Sequence, residues 1–275
     1  MGTYISKALI KKDLKDIFRS KTLLVTMIII PILFSVIFPS ILVGSALFFD
    51  AEKIAGNDVQ KLIDSFLKST TGDKFSSYTM EQQIIYVFIN FMLPNLFLLV
   101  PIITAMSVAA NSFVGEKENR TLESLLFSPI SIKKLFLSKT IASFLPPFCV
   151  SVISFVLCGV IINSLGYQLF GELIFPSGNW VALITGLSPM VILLTVLLNI
   201  LISSRVKTYQ EAQNFGGIIL LPVIALLIGQ VSGLFLLGVQ LIILISVGLF
   251  IVNLVLWSII AKNNDRYLLF EKQIH

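Results

Sequence analysis

Five long stretches without a charged residue constrain this chain more than any other feature. They run over residues 22–49, 82–115, 140–171, 173–204 and 212–261. A bilayer core needs about 20 apolar residues per helix, so each of the first four stretches holds one span and the last holds two. The sequence therefore predicts an all-α membrane protein with six spans. We place them at residues 22–49, 84–113, 138–164, 180–202, 215–233 and 239–261.

The composition supports the same class of protein. Hydrophobic residues make up 56% of the chain and charged residues only 13%, against about 25% charged residues in an ordinary soluble domain. The chain contains no internal repeat and no low-complexity tract that would divide it. We therefore predict a single membrane domain over residues 1–275.

Lys and Arg residues decide the orientation, because positively charged loops of membrane proteins stay in the cytoplasm. Among the 20 basic residues, only Lys53, Lys61, Lys68 and Lys74 lie in the segment 50–82, and the others follow the opposite ends of the spans. We predict that both termini are cytoplasmic and that residues 50–82 are extracellular. The net charge of +5 then favours anionic lipid headgroups as partners of the basic residues, and not nucleic acid.

Residues 4–19 have the pattern of an amphipathic helix at the cytoplasmic surface. Their apolar residues fall on one broad arc of a helix, and their basic residues fall on the opposite arc. Two roles fit this pattern: an anchor that holds the positive side inside, or an interface helix that transmits motion to the first span. In the second role the residues of interest are Leu9, Leu14, Ile17, Phe18 and Arg19.

Prolines recur within the predicted spans. Proline removes a backbone hydrogen bond and bends a helix, which membrane helices tolerate when neighbouring groups satisfy the freed carbonyl. We therefore expect several bent spans. The prolines concerned are Pro31, Pro39, Pro94, Pro101, Pro146, Pro147, Pro189 and Pro222.

The connection between the second and third spans, residues 114–136, is too polar to lie in hydrocarbon. Asn119 and Thr121 are suitable caps for a short helix, and Ser128 with Pro129 should end it. This helix would carry an apolar face at the cytoplasmic surface, where a protein partner could cover it. The alternative is a solvated connection. The apolar face consists of Leu122, Leu125, Leu126 and Phe127.

This connection resembles the corresponding loop in the permease subunits of type-2 ATP-binding cassette exporters. In that family a cluster of acidic and basic residues is followed by Thr-Leu-Glu, two leucines, Ser/Thr-Pro and further basic residues. The matching segments here are Gly115-Glu116-Lys117-Glu118, Thr121-Leu122-Glu123, Leu125-Leu126, Ser128-Pro129 and Lys133-Lys134. The six-span layout extends the resemblance, more loosely, to the whole chain.

The resemblance implies that this chain forms the membrane pathway and that a separate subunit binds ATP. Residues 119–128 would be a coupling helix docked on a separate ATPase subunit, with the helix 4–19 beside it as the interface helix. ATP and Mg would be bound by that ATPase subunit, and a second copy or a related chain would complete a dimer in a bacterial cell membrane. Such permeases usually have short re-entrant helices between spans 5 and 6, for which residues 229–238 leave little room. The implied coupling residues are Glu116, Arg120, Thr121, Leu122, Glu123, Leu125, Leu126, Phe127, Ser128 and Pro129.

The sequence lacks the motifs that would make this chain an enzyme. A phosphate-binding loop requires Gly-Lys followed by Ser or Thr, and the sequence contains no Gly-Lys pair. The single histidine is the terminal His275, and Cys149 and Cys158 do not have the spacing of metal ligands. We therefore expect no catalytic residue, no cofactor and no metal on this chain.

Asparagines are the most polar side chains of the charge-free stretches, which contain no acid or base to carry protons or cations. Asn90, Asn95 and Asn199 could hydrogen-bond between helices or line a substrate path. The uncharged spans favour a hydrophobic or amphipathic substrate, such as a peptide, a drug or a lipid. The leading hypothesis is an ATP-driven exporter permease. The alternatives are an energy-independent channel or membrane-embedded assembly factor, and a membrane-bound enzyme.

Overall fold

The computed structural model describes residues 7–48, 78–118, 132–232 and 237–262. Every regular element within these ranges is a helix, and none is a strand. The amphipathic helix, Lys7–Arg19, precedes six helices that are long and apolar enough to cross a membrane, which confirms the predicted number of spans. They are span 1 (Lys21–Gly44), span 2 (Met80–Glu118), span 3 (Lys134–Phe170), span 4 (Gly178–Ser203), span 5 (Tyr209–Gln230) and span 6 (Val239–Lys262).

Spans 2 and 3 are the longest, with 39 and 37 residues. They extend further toward their connection than the predicted bounds of 84–113 and 138–164, so that Glu116 lies within the helical segment that ends span 2. Most of the predicted external segment, the predicted coupling helix at 119–128 and residues 233–236 of the predicted connection 229–238 lie outside the described residues.

Span 2 forms the centre of the bundle. It is the most buried of the six spans and packs against spans 1, 3, 4 and 5, whereas span 6 is the least buried and packs mainly against span 4. The outward faces of spans 1, 5 and 6 carry exposed apolar side chains such as Ile41, Leu221 and Leu244. A surface of this composition is suited to contact with lipid.

Aromatic side chains fill one end of the bundle, which we call the aromatic end. The ring of Trp180 lies 5.3 Å from that of Phe97 and 5.0 Å from that of Phe175, and Phe155 lies 4.9 Å from Phe175, measured between ring centroids. Tilted and edge-on contacts at these distances are favourable between aromatic rings. The opposite end, where the amphipathic helix lies against spans 2 and 3, is called the charged end.

The connection between spans 3 and 4 folds back on span 3 at the aromatic end. Gly171 ends the helix with a φ of +66°, a conformation that glycine adopts without strain. Asn163 then donates to the carbonyl of Phe175 at 2.8 Å and accepts from its N–H at 3.1 Å. A Cβ at Gly159 would lie 2.5 Å from the Phe175 ring, so only glycine allows this approach.

Three spans contain a π-helical turn that ends two residues before a proline. The turns are Ile32–Ile37 before Pro39, Phe88–Met92 before Pro94 and Leu183–Leu187 before Pro189. Proline has no N–H, so the helix loses one bond there and a wider turn accommodates the change. Pro146 and Pro147, in contrast, lie within the uninterrupted helix Ile132–Phe170. Pro39, Pro94 and Pro189 are thus each preceded by an irregular turn.

Side chains of span 4 satisfy the carbonyls that Pro94 leaves free in span 2. An N–H at position 94 would bond the carbonyl of Asn90 in an α-helix or that of Ile89 in a π-helix. Trp180 Nε1 instead donates to the Ile89 carbonyl at 2.9 Å, and Asn179 Nδ2 donates to the Asn90 carbonyl at 2.8 Å. The irregular turn of span 2 is therefore held by hydrogen bonds from the start of span 4.

Candidate functional site at the charged end

The amphipathic helix packs against the charged end through one face. This face consists of Leu9, Asp13 and Ile17, which follow each other at intervals of four residues. Ile17 packs into a small apolar cluster with residues of spans 1 and 2, including Leu23 and Val108. A carboxylate therefore lies between two apolar residues on the side of the helix that faces the bundle.

The five residues predicted for an interface helix divide between the two sides of this helix. Leu9 and Ile17 are buried against the bundle, and Leu14 is partly buried. Phe18 is 57% exposed, and Arg19 is exposed as well. One side of the helix is thus bound within the chain, while the other side is accessible.

Four charged side chains from three parts of the chain meet beside this helix. Lys139 Nζ of span 3 lies 2.6 Å from Glu116 Oε2 of span 2 and 3.5 Å from Asp13 Oδ2 of the amphipathic helix. Lys12 Nζ bonds the other carboxylate oxygen of Glu116 at 2.8 Å. Lys139 also donates to the carbonyl of Ser112 at 2.8 Å. We call Lys12, Asp13, Glu116 and Lys139 the ion cluster.

Burial makes the ion cluster sensitive to the loss of any one charge. The side chains of Lys139 and Asp13 are 1% and 3% exposed, and that of Glu116 is 14% exposed. Burial raises the pKa of the Asp13 carboxyl, and the positive charge of Lys139 opposes this shift. For Lys12, burial acts to lower the pKa, but the hydrogen bond and charge of Glu116 outweigh it and raise the pKa. The buried carboxylates of Asp13 and Glu116 therefore depend on the nearby lysines for compensation of their charge.

The two residues after Glu116 contact the connection between spans 4 and 5. Lys117 Nζ donates to the carbonyls of Ser203 and Val206, at 3.2 and 3.0 Å. Glu118 Oε2 accepts from the N–H of Tyr209, the first residue of span 5, at 2.9 Å. Consecutive charged residues at the end of span 2 therefore reach the amphipathic helix, span 3, span 4 and span 5.

Of the predicted coupling residues, the structure describes Glu116 and places it in the ion cluster. The others, from Arg120 to Pro129, lie outside the described residues. Asp13, Lys139 and Glu118 were not among the site residues predicted from the sequence. Asp13 was detectable, because it shares the helical spacing of Leu9 and Ile17. Lys139 was not, because its partners Asp13 and Glu116 are remote in sequence.

The three asparagines predicted as a possible substrate path are buried among helices. Asn95 Nδ2 donates to Gln230 Oε1 at 2.6 Å, which joins span 2 to span 5. Asn90 and Asn199 donate to carbonyls one turn earlier in their own helices, at 3.0 and 2.9 Å. Each is at most 1% exposed. Asn95 thus joins two helices, and a role of the three asparagines in a substrate path stays a prediction.

Comparison with known proteins agrees with this architecture. The sequence profile of the family described as "ABC-2 type transporter" matches residues 6–229. The chain therefore belongs to the ABC-2 type transporter family and is a transmembrane subunit of an ABC transporter, a multi-pass protein of the cell membrane.

One similar protein is the ABC transporter permease protein NatB of Bacillus subtilis (strain 168). It is 28% identical over 142 residues, which make up 50% of this chain and 36% of the relative. The match thus spans little more than a third of the relative's length. No solved structure matches the chain.

Proposed function

We propose that this chain is the permease subunit of an ATP-driven exporter. It moves a hydrophobic or amphipathic substrate, such as a peptide, a drug or a lipid, out of the cell by alternating access. A separate ATPase subunit binds ATP and Mg and supplies the energy, and a second copy or a related chain completes the pathway as a dimer. Family membership and the similarity to a permease support this proposal.

The ion cluster is the observation that carries the proposal. The coupling segment 119–128 begins immediately after Glu118, three residues beyond Gly115. Glu116 lies three residues before this segment. Its contacts with Lys12 and Lys139 connect the end of span 2, from which the segment begins, to the amphipathic helix and to span 3. A displacement of the segment by an ATPase subunit would therefore act on the amphipathic helix and two spans together.

The geometry also divides the predicted coupling residues into two groups. Glu116 has its carboxylate occupied by lysines of the same chain, so we assign it to holding the base of the segment. Residues 120–129, which include Leu125 and Leu126, are assigned to contact with the ATPase subunit. The exposed side of the amphipathic helix, with Phe18 and Arg19, lies at the same end and would face the ATPase subunit or lipid headgroups.

Replacement of both Leu125 and Leu126 by Asp tests this assignment. We expect the variant to insert normally in the membrane but to lose the copurifying ATPase subunit, because two charges would replace the apolar contact. The chain offers a matched control in its tail, where Leu268 and Leu269 also precede a phenylalanine. The control with Asp at 268 and 269 should retain the ATPase subunit. Retention of the ATPase subunit and of ATP-dependent transport by the first variant would contradict the assignment.

A further inference from the structure

Lys117 and Glu118 form a pair of oppositely charged residues at the junction of three spans. The Lys117 ammonium group lies among carbonyls at the carboxyl end of span 4. The Glu118 carboxylate lies at the amino end of span 5 and accepts from Tyr209. Each charge thus has the sign that the adjacent helix end favours, since free carbonyls are partially negative and free N–H groups partially positive.

Close packing continues this junction into the bundle. Ala110 and Val114 of span 2 form an apolar cluster with Val206 and Ala212, from the connection and the start of span 5. All four side chains are at most 2% exposed. The polar contacts of Lys117 and Glu118 therefore lie beside a tightly packed apolar contact, and not on an isolated loop.

Two further contacts join spans 2 and 5 above this cluster. Gln213 Nε2 donates to Ser107 Oγ at 3.1 Å and to the Tyr209 hydroxyl at 2.7 Å. One turn further along, Gly216 is so close to Met106 that an added Cβ would lie 2.6 Å from its sulfur atom. The end of span 2 can therefore move relative to span 5 only by disturbing several contacts at once.

We propose that Lys117 and Glu118 transmit the displacement of the coupling segment to spans 4 and 5, while Glu116 transmits it to the amphipathic helix and span 3. This inference rests on the proposed function, because it requires an ATPase subunit that moves the segment. It assigns separate roles to three consecutive residues. We call the path from Glu116 to the amphipathic helix and span 3 the first route, and the path from Lys117 and Glu118 to spans 4 and 5 the second route. Loss of one route should leave the other intact.

Hydrogen exchange measured by mass spectrometry tests the two routes without a known substrate. The sample is the complex of permease and ATPase subunit in lipid nanodiscs, with and without ATP and vanadate. The variant carries Lys117→Met and Glu118→Gln. The control carries Lys134→Met and Glu81→Gln, which lie in spans 3 and 2 outside this junction and remove the same two charges.

In the wild-type complex, we expect nucleotide to change exchange both in residues 7–19 and in residues 203–216. In the variant, the change in residues 203–216 should fall at least about fivefold while that in residues 7–19 persists, since only one route is cut. For each protein, exchange with nucleotide is compared with exchange without it. A substitution that raises exchange in residues 203–216 equally in both states therefore leaves this difference unchanged. The control should keep both changes, and Lys117→Arg, which preserves the cation, should retain the wild-type response.

Three results would overturn the inference. In the first, the variant keeps the full nucleotide-dependent change in residues 203–216. In the second, the wild-type complex responds in residues 7–19 but not in residues 203–216, which contradicts the second route while leaving the proposed function intact. In the third, neither region nor the coupling segment responds in the wild-type complex, which contradicts the proposed function and the inference with it.

Discussion

The charged end and the aromatic end both join helices through buried polar contacts, but they use different chemistry. At the charged end, Lys139 and Glu116 join span 3 to span 2 through opposite charges 2.6 Å apart. At the aromatic end, Trp180 joins span 4 to span 2 through a neutral N–H that donates to the Ile89 carbonyl. Attraction between charges falls slowly with distance, whereas a neutral hydrogen bond weakens steeply when its geometry changes.

This difference indicates how the two ends can behave when the protein moves. The charged end can shift by small distances and still keep its helices connected, because the ions of the cluster have more than one partner. The aromatic end has rings packed around Trp180 and a loop held by Asn163, so a shift there would break specific contacts. We expect the aromatic end to remain fixed while the charged end follows the coupling segment.

The largest effect should come from Lys139→Met, which removes the buried cation that joins span 3 to span 2 and to the amphipathic helix at the charged end. The substitution leaves Asp13 and Glu116 without their buried cation and with only the more exposed Lys12 beside them, and removal of one partner from a buried ion pair lowers stability by about 3–5 kcal/mol. Thermal unfolding of the purified protein should show a large loss of stability. Lys134→Met, at the start of the same helix and only partly buried, is the matched control and should have little effect.

A second variant separates charge from packing at the same place. The combination Asp13→Asn, Glu116→Gln and Lys139→Met removes the three least exposed charges of the cluster and leaves the more exposed Lys12, so it should unfold at a higher temperature than Lys139→Met alone. Equal stability of Lys139→Met and Lys134→Met would show that the ion cluster does not hold the charged end together.

An intermediate effect is expected for Trp180→Phe, which weakens the aromatic end. The ring is largely kept, but the Ile89 carbonyl loses its donor, and an unsatisfied buried carbonyl costs about 1–3 kcal/mol. Thermal unfolding checks this value, with Trp257→Phe in span 6 as the control because it is only partly buried. If both tryptophan variants unfold at the same temperature, the hydrogen bond to the Ile89 carbonyl contributes nothing measurable.

The number of spans could be predicted because it follows from length and charge, two properties that are local in sequence. The buried face of the amphipathic helix was predictable for the same reason, since Leu9 and Ile17 recur at helical spacing. Asp13 shares that spacing, but its ionic role could not be predicted, because a carboxylate on an apolar face is unfavourable until a buried cation lies beside it. That cation, Lys139, is 126 positions away.

The π turns could be predicted only in part. The prolines that accompany them were visible, and bends were expected at each, yet Pro146 and Pro147 lie in an uninterrupted helix. Whether a freed carbonyl disturbs a span depends on which donor reaches it. For Pro94 the donors are Asn179 and Trp180, more than 80 positions later, and no local pattern indicates that pairing.

The smallest effect concerns the rim of the aromatic end, where charge also occurs. The Tyr78 hydroxyl donates to Glu172 Oε1 at 2.7 Å. Burial, together with the hydrogen bond and negative charge of Glu172, raises the pKa of Tyr78 to about 12 from its ordinary 10.0. Because the pKa is raised in the folded protein, the stability that this contact contributes is complete below about pH 10 and is lost as the pH rises toward about 12.

Glu172→Gln sharpens the comparison by removing the charge at this rim. The pKa of Tyr78 should fall toward 10.0, while stability at neutral pH changes by less than about 1 kcal/mol, because the pair is exposed and screened by solvent. Ultraviolet titration of the phenolate band measures the shift, and Tyr78→Phe identifies the part of the titration that belongs to Tyr78. An unchanged titration in Glu172→Gln would show that burial alone raises the pKa. The charge of Glu172 would then have no part in holding the aromatic end, and ionic contacts that join spans would be confined to the charged end among the residues compared.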